Sequence, residues 1–321
     1  MMEQALRDFP KQFEFEPVIE HVARLELREK FVIAGMGGSC LVPELLQAWR
    51  PELDVIAHRD YGLPATDLDE RLVIVSSYSG NTEEALDAFQ TALDRRLPVV
   101  AIGTGGELLR LAEASRSPYI RVPDTGIQPR SALGFNLVAL MAFVGDDIGM
   151  AELRELRYSL DTDRCAGNGA ELAARLRGKI PLVYASERNA GIAHNWKIKF
   201  NETSKIPAFT NVFPELNHNE MTGFDRIPTT APLSDRLHGI FLTDANDDPR
   251  VQRRMEITRG LYAQRGLAVE VVPIDGTSVW QRIFTSLLTA DWAALRLAEA
   301  YGTEPEQVPM VEEFKRLIEE V

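Results

Sequence analysis

Cysteine is scarce in this chain. Only Cys40 and Cys165 occur in 321 residues, far apart in sequence, which gives no basis for a disulfide framework. Histidine is nearly as rare, with five residues at His21, His58, His194, His218 and His238. None forms a close pair such as H-x-x-x-H, so no zinc-ligand set stands out and no metal is expected. A basic excess is missing too: 35 Lys and Arg face 48 Asp and Glu, a net charge of −13. That balance argues against a general nucleic-acid binder, because phosphate backbones demand a basic surface. It still leaves room for one small anion held locally. No apolar run approaches the roughly 20 residues that span a bilayer. The start, M-M-E-Q-A-L-R-D-F-P, lacks the basic and apolar stretches of a signal peptide. A cytoplasmic protein with no membrane or nucleic-acid partner is expected.

What the chain does contain is a rhythm. K-F-V-I-A-G, D-V-I-A-H, R-L-V-I-V-S-S, P-V-V-A-I-G and Y-I-R-V-P are short aliphatic runs separated by amphipathic stretches. Their apolar residues are continuous rather than alternating, the pattern of strands buried on both faces of a parallel sheet. The result is the βαβ order of a doubly wound α/β fold. An apolar helix, A-L-G-F-N-L-V-A-L-M-A-F-V, closes this unit near Gly149. Residues 151–177 are charge-rich and helical, with a polar break at D-T-D-R-C-A-G-N-G. The rhythm then restarts with I-P-L-V-Y-A-S, G-I-F-L-T-D-A and A-V-E-V-V-P-I-D-G as strands. Helices are expected over 250–266 and from Ser278 to about Tyr301, followed by a short amphipathic tail. Residues 1–152, 153–300 and 301–321 are thus expected to be two similar units and a tail. Residues 196–223 hold Lys197, Lys199, Glu202, Lys205, Glu215, His218 and Glu220, an ionisable density that suits an irregular site-bearing segment.

Three loops carry anion chemistry. G-M-G-G-S-C, Gly35–Cys40, follows the first strand, where glycines let backbone amides approach an anion. It also suggests a dinucleotide fingerprint, but Cys40 occupies the third glycine position and no acidic residue ends the second strand. S-Y-S-G-N-T, Ser77–Thr82, follows the third strand, at the edge where open α/β sheets bind ligands. Asn81 or Thr82 could cap the next helix, and one hydroxyl would need no other account. Hydroxyls at Ser77, Ser79 and Thr82 around a glycine make a phosphate cradle the more economical reading, since every O–H there is a donor. Glu83 and Glu84 would repel that phosphate unless turned away. Finally, Arg130 in Q-P-R-S-A-L-G heads the apolar helix, where it could equally solvate the helix end.

In this order and spacing, GMGGS, SYSGNTEE and PRSALG resemble the sugar isomerase (SIS) domain family. N-E-T-S-K (201–205) and F-P-E-L-N-H-N-E-M-T-G-F (213–224) resemble one branch, the bifunctional phosphoglucose/phosphomannose isomerases, and the similarity spans roughly residues 30–316. The resemblance implies two SIS-type doubly wound, flavodoxin-like parallel-sheet subdomains with a C-terminal helical tail. It implies a phosphate held by Ser77, Ser79 and Thr82, and a sugar flanked by Gly37, Gly38 and Ser39. It makes Arg130 the cation near C1 and C2, Glu202 the base, and His218 the ring-opening residue lent by the partner of a homodimer. It matches Lys315 to the lysine of the family's C-terminal helix. Two departures are Cys40, where relatives commonly have glycine, and E-P-E-Q-V-P (304–309), where they usually have D-P-T-P-V.

The implied chemistry is an aldose–ketose isomerisation of glucose 6-phosphate, and of mannose 6-phosphate, to fructose 6-phosphate. No cofactor is called for. A carboxylate takes the C2 proton and returns it to C1. A fixed arginine stabilises the cis-enediolate. A histidine titrating near neutrality opens the ring. Taken without the resemblance, Glu202 reads as a solvated glutamate, His218 as a surface histidine and Lys315 as a solvent-facing lysine. A phosphosugar sensor without turnover is the alternative; it would keep Ser77–Thr82 but need not keep Glu202, His218 and Arg130 together.

Overall fold

The structure is a computed structural model and describes residues 2–319. Among these described residues, ten strands form two sheets. The first contains β1 (Ile19–Glu20), β2 (Lys30–Ala34), β3 (Asp54–His58), β4 (Arg71–Ser76), β5 (Val99–Gly103) and β6 (Tyr119–Arg121). Their order across the sheet is β1-β6-β5-β4-β2-β3. The second contains β7 (Ile180–Ser186), β8 (Phe209–Phe213), β9 (Leu237–Thr243) and β10 (Val269–Pro273), ordered β10-β9-β7-β8. All pairings are parallel except β1 with β6. The doubly wound α/β fold expected from the sequence is the fold found.

The chain divides into two compact units. One comprises Arg7–Leu160 with Thr277–Gln281; the other comprises the residues up to Leu6, Asp161–Gly276 and those from Arg282 on. In the first, β4 and β5 are buried at every position, as their continuous apolar runs require. Val73, Val75, Ala85, Ala88, Phe89 and Ala101 pack the helix Glu83–Asp94 onto the sheet. Burying a side chain such as Phe89 contributes about 1.5–3 kcal/mol. In the second, Tyr184, Phe213, Phe241, Met255 and Tyr262 form an aromatic core beneath the helix Pro249–Gln264.

Register decides where the loops emerge. Ala34 pairs with Val75, and Ser76 with Ile102, so β2, β4 and β5 end at the same edge. The chain leaves β2 towards β3 and then returns to β4 on the other side. That reversal opens a crevice at the carboxyl ends of β2 and β4.

Several local expectations needed correction. Residues 196–202 are not irregular: they end the helix Ala190–Glu202. Its inward face carries Asn195 and Lys199 beside Ile192 and Trp196, which breaks the apolar periodicity by which a helix is recognised. Phe209–Phe213 is an edge strand between Pro207 and Pro214. D-T-D-R-C-A-G-N-G is no break, because Asp161 accepts the Arg164 N–H (2.9 Å) and starts the helix Thr162–Leu176. Gly169 lets that helix sit against Trp292, whose Cβ would lie 2.5 Å from an added methyl.

Candidate active site

The three loops expected to hold an anion meet in one place. Gly35 lies so close to the end of β4 that a Cβ would come within 2.5 Å of the Ser76 carbonyl. Gly38 packs on the turn Pro129–Ser131, where a Cβ would fall 2.8 Å from Pro129 C and 2.9 Å from Arg130 N. Ser39 Oγ accepts the Tyr78 N–H at 3.0 Å, tying the glycine loop to the serine loop. Gly37, Gly38, Ser39, Ser77, Ser79, Thr82 and Arg130 therefore belong to one assembly in the first unit.

The serine loop is held by its own backbone. The Ser77 N–H bonds Ile102 O (2.9 Å), and the Leu108 N–H bonds Gly80 O (2.9 Å). Gly80, at φ +74°, passes against the Gly105 backbone, where a side chain has no room. Thr82 does not cap the following helix; its Oγ1 instead accepts from Ser77 Oγ at 3.0 Å. Asn81 serves the neighbouring helix, with Oδ1 accepting the Glu107 N–H at 3.0 Å. The hydroxyls are graded in depth: Ser77 is buried, Thr82 half-buried and Ser79 exposed. Glu83 accepts the Tyr61 hydroxyl at 3.2 Å, which gives its charge a partner outside the loop.

Arg130 is 4% exposed, too deep for a residue that merely solvates a helix end. Its turn is clamped by Gln12, whose Nε2 donates to Ser131 O (2.7 Å). Gln12 Oε1 accepts from the N–H groups of Gly134 (2.9 Å) and Phe135 (3.3 Å). The sequence offered no signal for Gln12, because its partners lie more than a hundred residues away. Cys40 is also buried, and its thiol donates to His58 O at 3.8 Å. Burial pushes that thiol up to about 11, so it stays neutral beside these loops.

Glu202 and His218 lie in the second unit. Glu202 is the last residue of Ala190–Glu202 and is half-buried. Trp196 Nε1 donates to Ser286 Oγ (2.9 Å), Lys199 Nζ pairs with Asp291 Oδ2 (2.7 Å) and Ser204 Oγ donates to Ala294 O (2.8 Å). These bonds pin the helix to the helix Val279–Tyr301. Lys199 is therefore a buried structural cation. Lys205, at φ +58°, folds its ammonium back onto the Glu202 carbonyl, closing the helix end. His218 is exposed and ends the short 3-10 turn Glu215–His218. Lys315 lies on the helix Pro309–Glu319, exposed from Pro309 to Ile318, with Nζ 3.0 Å from Glu312.

The bacterial phosphoglucose isomerase C-terminal SIS domain matches residues 167–318. A bifunctional phosphoglucose/phosphomannose isomerase of Caldicellulosiruptor bescii is 34% identical, covering 97% of this chain and 96% of the relative. That of Aquifex aeolicus is 31% identical over 97% and 96%. Among solved structures, a glucosamine-6-phosphate deaminase from Thermotoga maritima superposes with a TM-score of 0.70. It is 16% identical and covers 96% of each chain, which speaks for the fold. With the glycine loop, serine loop and buried arginine assembled at one sheet edge, these relationships establish that the chain belongs to the bifunctional phosphoglucose/phosphomannose isomerase family.

Proposed function

We propose that this protein interconverts glucose 6-phosphate and mannose 6-phosphate with fructose 6-phosphate through a cis-enediolate. The observation that carries the proposal is the convergence of Gly37–Ser39, Ser77–Thr82 and buried Arg130 at the carboxyl edge of β2 and β4. The phosphate sits on Ser77, Ser79 and Thr82, with Gly37, Gly38 and Ser39 along the sugar. These hydroxyls anchor and are not nucleophiles. Arg130 meets the negative charge that grows on O1 and O2.

Glu202 removes the C2 proton and returns it to C1. This support is consistent with its place at the end of a helix fixed by three side-chain bonds. His218 moves a proton between the ring oxygen and O1, and Lys315 assists it. No metal enters these steps. The working assembly is a cytoplasmic homodimer in which each His218 serves the partner's sugar; the exposure of His218 on its own unit supports this arrangement.

A coupled assay for fructose 6-phosphate formed from each aldose phosphate tests the reading. Glu202→Gln should lower kcat by about 10²-fold or more with KM little changed, and turnover should persist with a chelator present. Undiminished turnover by the variant removes Glu202 as the base. No turnover of either sugar by the wild-type chain leaves a phosphosugar sensor.

A further inference from the structure

We propose that Glu220 is the positioning residue for His218, through a clamp made by the Tyr184 hydroxyl and the Asn211 amide. This rests on the reading of His218 as the ring-opening residue. The exposed histidine sits between two anchored neighbours. On one side, Asn217 Nδ2 donates to the hydroxyl of buried Thr258 at 2.8 Å. On the other, Glu220 begins the 3-10 turn Glu220–Phe224, and each of its carboxylate oxygens takes one donor. Tyr184 Oη donates to Oε1, and Asn211 Nδ2 donates to Oε2 at 2.6 Å.

Both donors come from the second sheet, Tyr184 from β7 and Asn211 from β8, in register with one another. The clamp therefore ties the histidine loop to two paired strands of the second sheet. Asn219 joins the two turns: its Oδ1 accepts the Glu220 N–H at 2.5 Å, and its Nδ2 donates to Glu215 at 2.6 Å. The backbone on both sides of His218 is thus fixed while its imidazole stays accessible.

The chemistry of the pair suits a permanent clamp. Tyr184 is 1% exposed and packs its ring on Phe213 and Phe241. Burial pushes its phenol far above the ordinary range, and the Glu220 carboxylate adds to this. The phenol therefore remains a donor across the working pH range. An apolar residue at 220 would leave two donors unmet, and a water-filled loop would let the imidazole wander from the ring oxygen.

A double-mutant cycle tests this, using the full-length protein with glucose 6-phosphate. Tyr184→Phe should lower kcat about tenfold while KM stays within about twofold. Asn211→Ala, at a half-buried position, should do the same if the phenol's loss disturbs folding. Glu220→Gln, which keeps an acceptor for Tyr184, should lose less than Glu220→Ala. Against a His218→Asn background, Tyr184→Phe should cost nothing further, because the clamp acts only through the histidine. An equal loss in both backgrounds overturns the positioning role, as does a rise in KM at constant kcat. If His218→Asn itself turns over like the wild type, the ring-opening assignment has failed instead.

Discussion

Single atoms decide the anion loops. Gly38 has no side chain because the Pro129–Ser131 turn occupies the space, and this contact brings Arg130 up to the glycine loop. Gly38→Ala must push the two backbones apart, at a cost of about 1–3 kcal/mol if the fold absorbs it. We expect KM for glucose 6-phosphate to rise about tenfold or more, since a misplaced backbone costs binding first. An unchanged KM in a stopped assay series would show that the loops do not jointly hold the sugar. Ser77 and Thr82 illustrate the same scale differently. Their mutual bond leaves the start of the helix Glu83–Asp94 without a side-chain cap.

At the scale of elements, side chains from distant segments hold the active helices in place. Gln12 bridges the Arg130 turn and the start of the helix Leu133–Val144 with three hydrogen bonds. Gln12→Ala would strand two N–H groups and a carbonyl in the interior and open a cavity. The expected loss is about 2–4 kcal/mol in urea unfolding, with kcat falling as Arg130 loosens. A loss below about 0.5 kcal/mol would mean that water takes over these bonds. Most strands were legible in continuous apolar runs such as V-I-V in β4, whereas the short Ile19–Glu20 and the edge strand Phe209–Phe213 were not. The helix Ala190–Glu202 was not legible either, because buried Asn195 and Lys199 break its periodicity: Asn195 Nδ2 donates back to Gly191 O within the helix (2.8 Å), and Lys199 finds its partner only in the remote Asp291.

At the scale of the molecule, two units share a topology and differ in charge at the corresponding edge. In the second sheet the chain reverses between β7 and β9, where Ser186 Oγ donates to Asp247 Oδ1 (2.7 Å) and Asn189 Nδ2 donates to the same oxygen (3.2 Å). Buried Asp244 lies beside them. Burial, with Asp244 adding, pushes the Asp247 carboxyl above its ordinary range. A phosphate there would meet like charge, whereas the hydroxyls of Ser77, Ser79 and Thr82 line the first loop without a buried carboxylate pair among them. The proposed dimer makes its own prediction. Glu202→Gln and His218→Ala proteins, each strongly impaired, should recover about a quarter of wild-type activity when mixed and allowed to exchange subunits, since half the dimers carry one intact site. No recovery would place His218 in the site of its own chain.

The amino-acid order by itself determined the α/β class, most of the strands and the residue types of the loops proposed to hold the phosphate. These depend on local pattern and on residue types that are neighbours along the chain. Tertiary structure decided the rest. It buried Arg130, gave Gln12 its clamp, turned Lys199 from a site candidate into a core cation and set Glu220 between Tyr184 and Asn211. The bonds of Gln12 to Ser131, Lys199 to Asp291 and Tyr184 to Glu220 join residues far apart in sequence, and only folding brings such partners within reach.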